Sequence, residues 1–131
     1  MMETPIYRGK PPVIHNLSEY RRALEKRANE ATLETTEHHK VDLWTLLPAQ
    51  SIPAHSNPDA ETVLIVLDGR GDLKIGGKSY EMEKDTLVTI PPGVEHSLWN
   101  NGPDTLAVLT IMGPGPFETK VTGKESEGSF Y

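Results

Sequence analysis

The stretch Asp85-Thr-Leu-Val-Thr-Ile-Pro91-Pro-Gly93-Val-Glu-His96-Ser-Leu-Trp-Asn100 decides how the chain is read. Pro91 presets φ near the value a turn needs, and Gly93 permits a positive φ that a β-carbon resists. His96 then opens a new strand and shares a face with Leu98 and Asn100, because strand side chains alternate. A rigid turn therefore delivers one imidazole onto a sheet face.

Outward from this turn, the pattern is one of short strands. Thr86–Ile90, His96–Asn100 and Thr105–Met112 are punctuated by Gly, Pro and Asn. Gly76-Gly77 marks a hairpin between Asp72–Ile75 and Lys78–Met82. In Lys40–Leu47, Val41, Leu43 and Leu47 share a face. Regular short strands with turns between them point to an antiparallel barrel or jelly roll. Val63–Leu67 and Leu106–Met112 are apolar on both faces, so something must cover their outer side. The N-terminal helix or a second copy of the chain would serve, and a homodimer is the expectation. Asn16-Leu-Ser-Glu19 has the form of a capping box, and Leu17, Tyr20, Leu24 and Ala28 recur at helical spacing. They predict one amphipathic helix from about 17 to 29.

A second segment makes the turn specific: Ala49-Gln-Ser-Ile-Pro53-Ala-His55-Ser-Asn57-Pro-Asp-Ala-Glu61-Thr62, running on to Gly69. Together the two segments resemble the paired motifs of the cupin superfamily, over roughly residues 40 to 112. Asp85 and Ala49 stand where each motif has its first Gly, and Asn57 stands where the first motif has its second His. The resemblance implies an all-β fold, a double-stranded β-helix (cupin jelly-roll barrel) with a short N-terminal α-helix. It implies one cupin domain over 1–131: arm and helix in 1–35, barrel about 38–113, and a C-terminal tail, 114–131, read as an exit linker and mobile end.

In cupins with complete motifs, three His and a Glu bind a divalent metal. The resemblance therefore implies Zn, Mn, Fe, Ni or Cu held by His55 and His96, with Glu61 as the acid. The acid position is ambiguous. Counting forward from Asn57 reaches Glu61; counting back from Gly69 reaches Thr62. Only one of the two can face inward on a regular strand, and the stiffer count favours Thr62, although Glu61 is chemically the better ligand. Asn57, Thr62 and His39 are candidate ligand-binding residues; His39 shares parity with Val41 and Leu43 and faces inward if that side is the interior. Trp44 and Trp99 are expected on the outer faces, and Asn100 in a structural hydrogen-bonding role.

Two functional readings stay open. One is a small-molecule-binding cupin with a metal centre of reduced ligand set, working as a metal-dependent oxygenase or isomerase. The other is a metal-free binding or sensing module. With 131 residues the chain has single-domain length. It has no cysteine, which excludes disulfides and thiolate chemistry. A net charge of −6 argues against nucleic acid as a partner. No apolar run approaches the roughly 20 residues of a membrane helix and no secretory signal is visible, so no membrane association is expected and a cytoplasmic location is.

Overall fold

A computed structural model describes residues 11–123; the first ten residues of the arm and positions 124–131 of the tail lie outside it. Ten strands form two five-stranded antiparallel sheets. The strands are β1 (Asn29–Thr35), β2 (Lys40–Leu46), β3 (Ser51–Ser56), β4 (Glu61–Asp68), β5 (Gly71–Ile75), β6 (Lys78–Met82), β7 (Leu87–Ile90), β8 (His96–Trp99), β9 (Leu106–Gly113) and β10 (Lys120–Val121). One sheet runs β1-β2-β9-β4-β7 and the other β10-β3-β8-β5-β6. This two-sheet arrangement is the jelly roll that the strand pattern implied.

Alternation along the strands separates inside from outside. Leu64, Val66, Leu73, Leu98, Leu106 and Val108 are all buried and pack in one core between the sheets. The opposite face of the first sheet is also apolar: Val41 pairs with Ile111, which pairs with Val63, and Ile65 lies between Leu109 and Leu87. Gly76 and Gly77 take positive φ at the hairpin, as the Gly-Gly signal required.

The predicted helix over 17–29 does not form. A single 3-10 turn covers Leu17–Tyr20, with the Asn16 side chain accepting from the Ser18 amide at 3.1 Å. Beyond it the carbonyls are taken by side chains: Gln50 Nε2 donates to Leu24 O (2.7 Å) and Asn29 Nδ2 to Arg22 O (2.7 Å). From Asn29 the chain is extended and pairs β1 with β2. Ala28, predicted for the helical stripe, instead enters the core.

The C-terminal segment is likewise more than a linker as far as it is described. β10 pairs with β3, and the amides of Thr122 and Gly123 both donate to Ala54 O at 2.8 Å. The edge of β3 is thereby covered.

Two residues sit in left-handed backbone where the resemblance has glycine: Ala49 (φ 73) and Asp85 (φ 74). The turn geometry is kept although its usual residue is gone. Gly69 shows why glycine survives at the third such position. Its φ is +77, and a Cβ there would stand 2.5 Å from the Thr105 carbonyl oxygen. Asn100, fully buried, donates to Leu46 O and Asp104 O (2.9 Å each) and accepts from the Gly102 amide, in the structural role expected of it. We expect Ala49→Gly to stabilise the fold by about 1 kcal/mol, since a β-carbon in this region costs about that much. Gly69→Ala should destabilise it by about 2–4 kcal/mol through strain and collision. Denaturant unfolding of both variants checks the pair.

Candidate functional site

The site begins with a register. His55 on β3 stands directly opposite His96 on β8, with an irregularity in the ladder between Ile52 and His55. Pro53 lies in that irregularity, where a residue without an amide hydrogen can be accommodated. On the other strand, the turn at Pro91–Gly93 aims His96, and Gly93 takes φ +78. The two imidazole rings lie 4.2 Å apart between centroids, tilted by 57°. Both line a cavity of about 210 Å³ at one end of the barrel.

The backbone fixes the chemistry of each ring. His55 Nδ1 lies 2.9 Å from Pro53 O and His96 Nδ1 3.0 Å from Val94 O. A carbonyl can only accept, so each Nδ1 carries the hydrogen and each Nε2 carries the lone pair. Burial, and then the neighbouring His96, push the His55 pKa down to about 4. Burial likewise lowers His96 below the usual imidazole range. The pair is therefore neutral near pH 7, and its Nε2 atoms are acceptors or ligands rather than donors.

Asn57 and Thr62 also line the cavity. Both are buried, and they contact each other, Asn57 Nδ2 to Thr62 Oγ1 at 3.4 Å. The Asn57 amide oxygen accepts from Thr119 Oγ1 at 3.0 Å, which ties the C-terminal segment to the site. Glu61 points to the opposite side and is exposed, while Thr62 faces inward. The stiffer count along the strand thus identified the inward residue, and Glu61 is not positioned to join the histidines.

His39 is also elsewhere. Its Nε2 lies 2.6 Å from Glu34 Oε1, while His15 Nε2 lies 3.0 Å from Glu34 Oε2. The inward side chains of β2 are Lys40, Asp42 and Trp44, the parity opposite to His39, Val41 and Leu43. Trp44, expected on the outer face, is accordingly buried in the cavity wall; Trp99 is half-exposed, as expected. Both faces of β2 are buried, so hydrophobicity did not mark the inner one. The missed wall residues are Glu30, Lys40, Asp42, Thr110, Thr119 and Val121. Charged residues alternating with apolar ones at 40 and 42 were the available signal.

The donor set does not make a complete protein-held metal centre. Of the four positions implied by the resemblance, His55 and His96 are in place, Glu61 is outside, and the Asn57 oxygen is already engaged by Thr119. Among the described residues, no group of three or more His, Cys, Asp or Glu is gathered where it could hold an ion.

Two facing antiparallel sheets that enclose a cavity define the double-stranded β-helix class. The Cupin domain family matches residues 42–112, and the chain belongs to that family. It is 30% identical to a gentisate 1,2-dioxygenase from Haloferax sp over 74 residues, 55% of this chain and 20% of that protein. It is 25% identical over 119 residues to the uncharacterized protein YrkC of Bacillus subtilis (strain 168), covering 85% of this chain and 63% of YrkC. The chain thus spans less than two thirds of either curated relative. A conserved double-stranded β-helix protein from Klebsiella pneumoniae superposes with a TM-score of 0.81 at 21% identity, over 87% of this chain and 100% of that one. Among the described residues, no helix is long and apolar enough to cross a membrane.

The titrations have opposite signs. His55 and His96 have depressed folded pKa values, so their stabilisation is present above about pH 6.5 and lost as pH falls, for His55 as it falls toward about 4. Glu30 is raised to about 7, chiefly by burial and then by Asp42, so its contribution grows as pH falls through that value. We expect Glu30→Gln to steepen the acid loss of stability between about pH 6.5 and pH 4, and His55→Asn to make it shallower by up to about 1.4 kcal/mol per pH unit. Unfolding midpoints measured across that range check both.

Proposed function

We propose that this chain is a small-molecule-binding cupin whose ligand occupies the cavity around His55 and His96. The observation carrying this reading is the pair of neutral, buried imidazoles that converge from two strands on one cavity. Trp44, Ile52, Leu64 and Leu98 give the cavity an apolar wall, and Thr62, Asn57 and Thr110 give it polar points. A concave site with an apolar wall and a few fixed polar groups is the usual form of a small-ligand site. A fragment screen by NMR on the full chain tests it. Hits should perturb His55 and His96 together, and His96→Gln should weaken them about tenfold, the loss of roughly one buried hydrogen bond. A screen whose hits all bind elsewhere would overturn the reading.

A divalent transition ion is the second reading, favoured by one observation. Each Nδ1 is pinned to a backbone carbonyl, the outer-shell arrangement that turns Nε2 toward a metal. His55 and His96 would hold the ion, and the bound molecule would have to complete its coordination. Such an ion would supply Lewis-acid chemistry, as in a metal-dependent oxygenase or isomerase. With two protein ligands we expect substoichiometric metal that dialysis removes. Tag-free protein carrying one equivalent of ion, lost in His55→Ala and in His96→Ala, would establish this reading over the first.

We also infer a homodimer formed through the outer face of the first sheet. Val41, Ile111, Val63, Leu109 and Ile65 make a continuous apolar surface there, and Leu87 at its edge is 59% exposed. Sedimentation should show a dimer that Ile111→Glu converts to monomer, with the cavity histidines unperturbed.

A further inference from the structure

Glu30, Lys40 and Asp42 line the same cavity as the histidines and have no part in the reading above. They come from neighbouring strands: Glu30 from β1 and Lys40 and Asp42 from β2. Lys40 Nζ lies 3.8 Å from Glu30 Oε2 and 3.5 Å from Asp42 Oδ2. Asp42 is buried and also accepts from Thr32 Oγ1 at 2.7 Å; the Glu30 side chain remains 34% exposed at the rim. Two carboxyl groups thus share one ammonium. With both ionised, one negative charge is left uncompensated in a partly desolvated place.

A second observation at the site points to the same ligand chemistry. His96 is 5% exposed, and its Nδ1 is used by Val94. Its Nε2 lone pair has no hydrogen-bond donor among the described residues. The cavity therefore has an imidazole acceptor without a donor and two carboxyls with a single cation between them. A ligand that supplies a hydroxyl hydrogen and a positive charge satisfies both; a carboxylate satisfies neither.

We propose that the Glu30–Lys40–Asp42 end of the cavity recognises a protonated amine, and that the ligand is a small amino alcohol or a similar donor-rich cation. Its ammonium meets Glu30 and Asp42, and its hydroxyl donates to His96 Nε2. This rests on the cavity being a ligand site and narrows the class of ligand.

Proton linkage gives the test its signature. Around Glu30 stand Asp42 and Lys40 from β2, with the neutral His55 and His96 on the cavity wall. Burial and Asp42 make the Glu30 carboxyl hold its proton up to about pH 7. An incoming cation displaces that proton, so binding should tighten as pH rises. The probes are ethanolamine and glycolate, of similar size and opposite charge, followed on the full chain by NMR of the cavity side chains. Ethanolamine should perturb Glu30, Asp42 and His96, with affinity rising about tenfold from about pH 6 to about pH 8. Glu30→Gln should flatten that dependence to within about twofold. Lys40→Met, which leaves both carboxyls uncompensated, should tighten ethanolamine by about threefold or more, a gain no merely structural role produces. Glycolate binding in preference, or ethanolamine binding unchanged in both variants, would overturn the inference while leaving the cavity a ligand site. Neither probe touching the cavity, with the fragment screen also silent, would overturn both.

Discussion

Pairing of β3 with β8 in the register that sets His55 opposite His96 is the constraint on which the site depends. Alternation fixes which side of each strand faces the barrel, so a slip of one residue would turn either imidazole outward. Several local features hold that register. Pro53 occupies the irregular part of β3, Gly93 sets the turn before β8, and Asn100 locks the end of β8 to Leu46 and Asp104. The Gly93 amide also donates to the Asn57 carbonyl, so the turn is fastened to the segment that follows β3. Fold and site therefore share their supports.

Charge is distributed unevenly inside this barrel. The histidine pair is kept neutral by burial, whereas Lys40 lies between Glu30 and Asp42, and burial together with Asp42 raises the Glu30 carboxyl to about 7. Each is a response to the same penalty on ions away from water. The histidines avoid it by giving up their protons, and Glu30 by holding one more tightly. The C-terminal segment completes the enclosure, with Thr119 and Val121 in the wall and Thr119 bound to Asn57.

Ala49 and Asp85 stand where the motif resemblance implies glycine, yet the left-handed backbone persists here. The two are held by hydrogen bonds to the barrel, from the Ala49 amide to Asn100 O (2.8 Å) and from the Asp85 amide to Val66 O (2.9 Å). Tertiary pairing thus overrides a local preference worth about 1–2 kcal/mol. The same override replaced the helix over 17–29, where capping and periodicity were right for a helix but the carbonyls of Arg22 and Leu24 are taken by the Asn29 and Gln50 side chains.

By itself the sequence determined the strand series, the Gly-Gly hairpin, the turn before His96, and the fact that Thr62 and Glu61 take opposite faces. These follow from short-range rules of φ and alternation, which residues obey wherever they are placed. What only the tertiary structure decided was which face of β2 is the inside, and hence that Lys40, Asp42 and Trp44, not His39, line the cavity. It also decided that Glu30, just past the stretch that read as helix, and Thr119, from one that read as tail, join them. Periodicity reports that two faces differ; it does not report which one another sheet will cover. Where both faces are buried, as on β2, even that difference vanishes, and only the packing of distant strands supplies the answer.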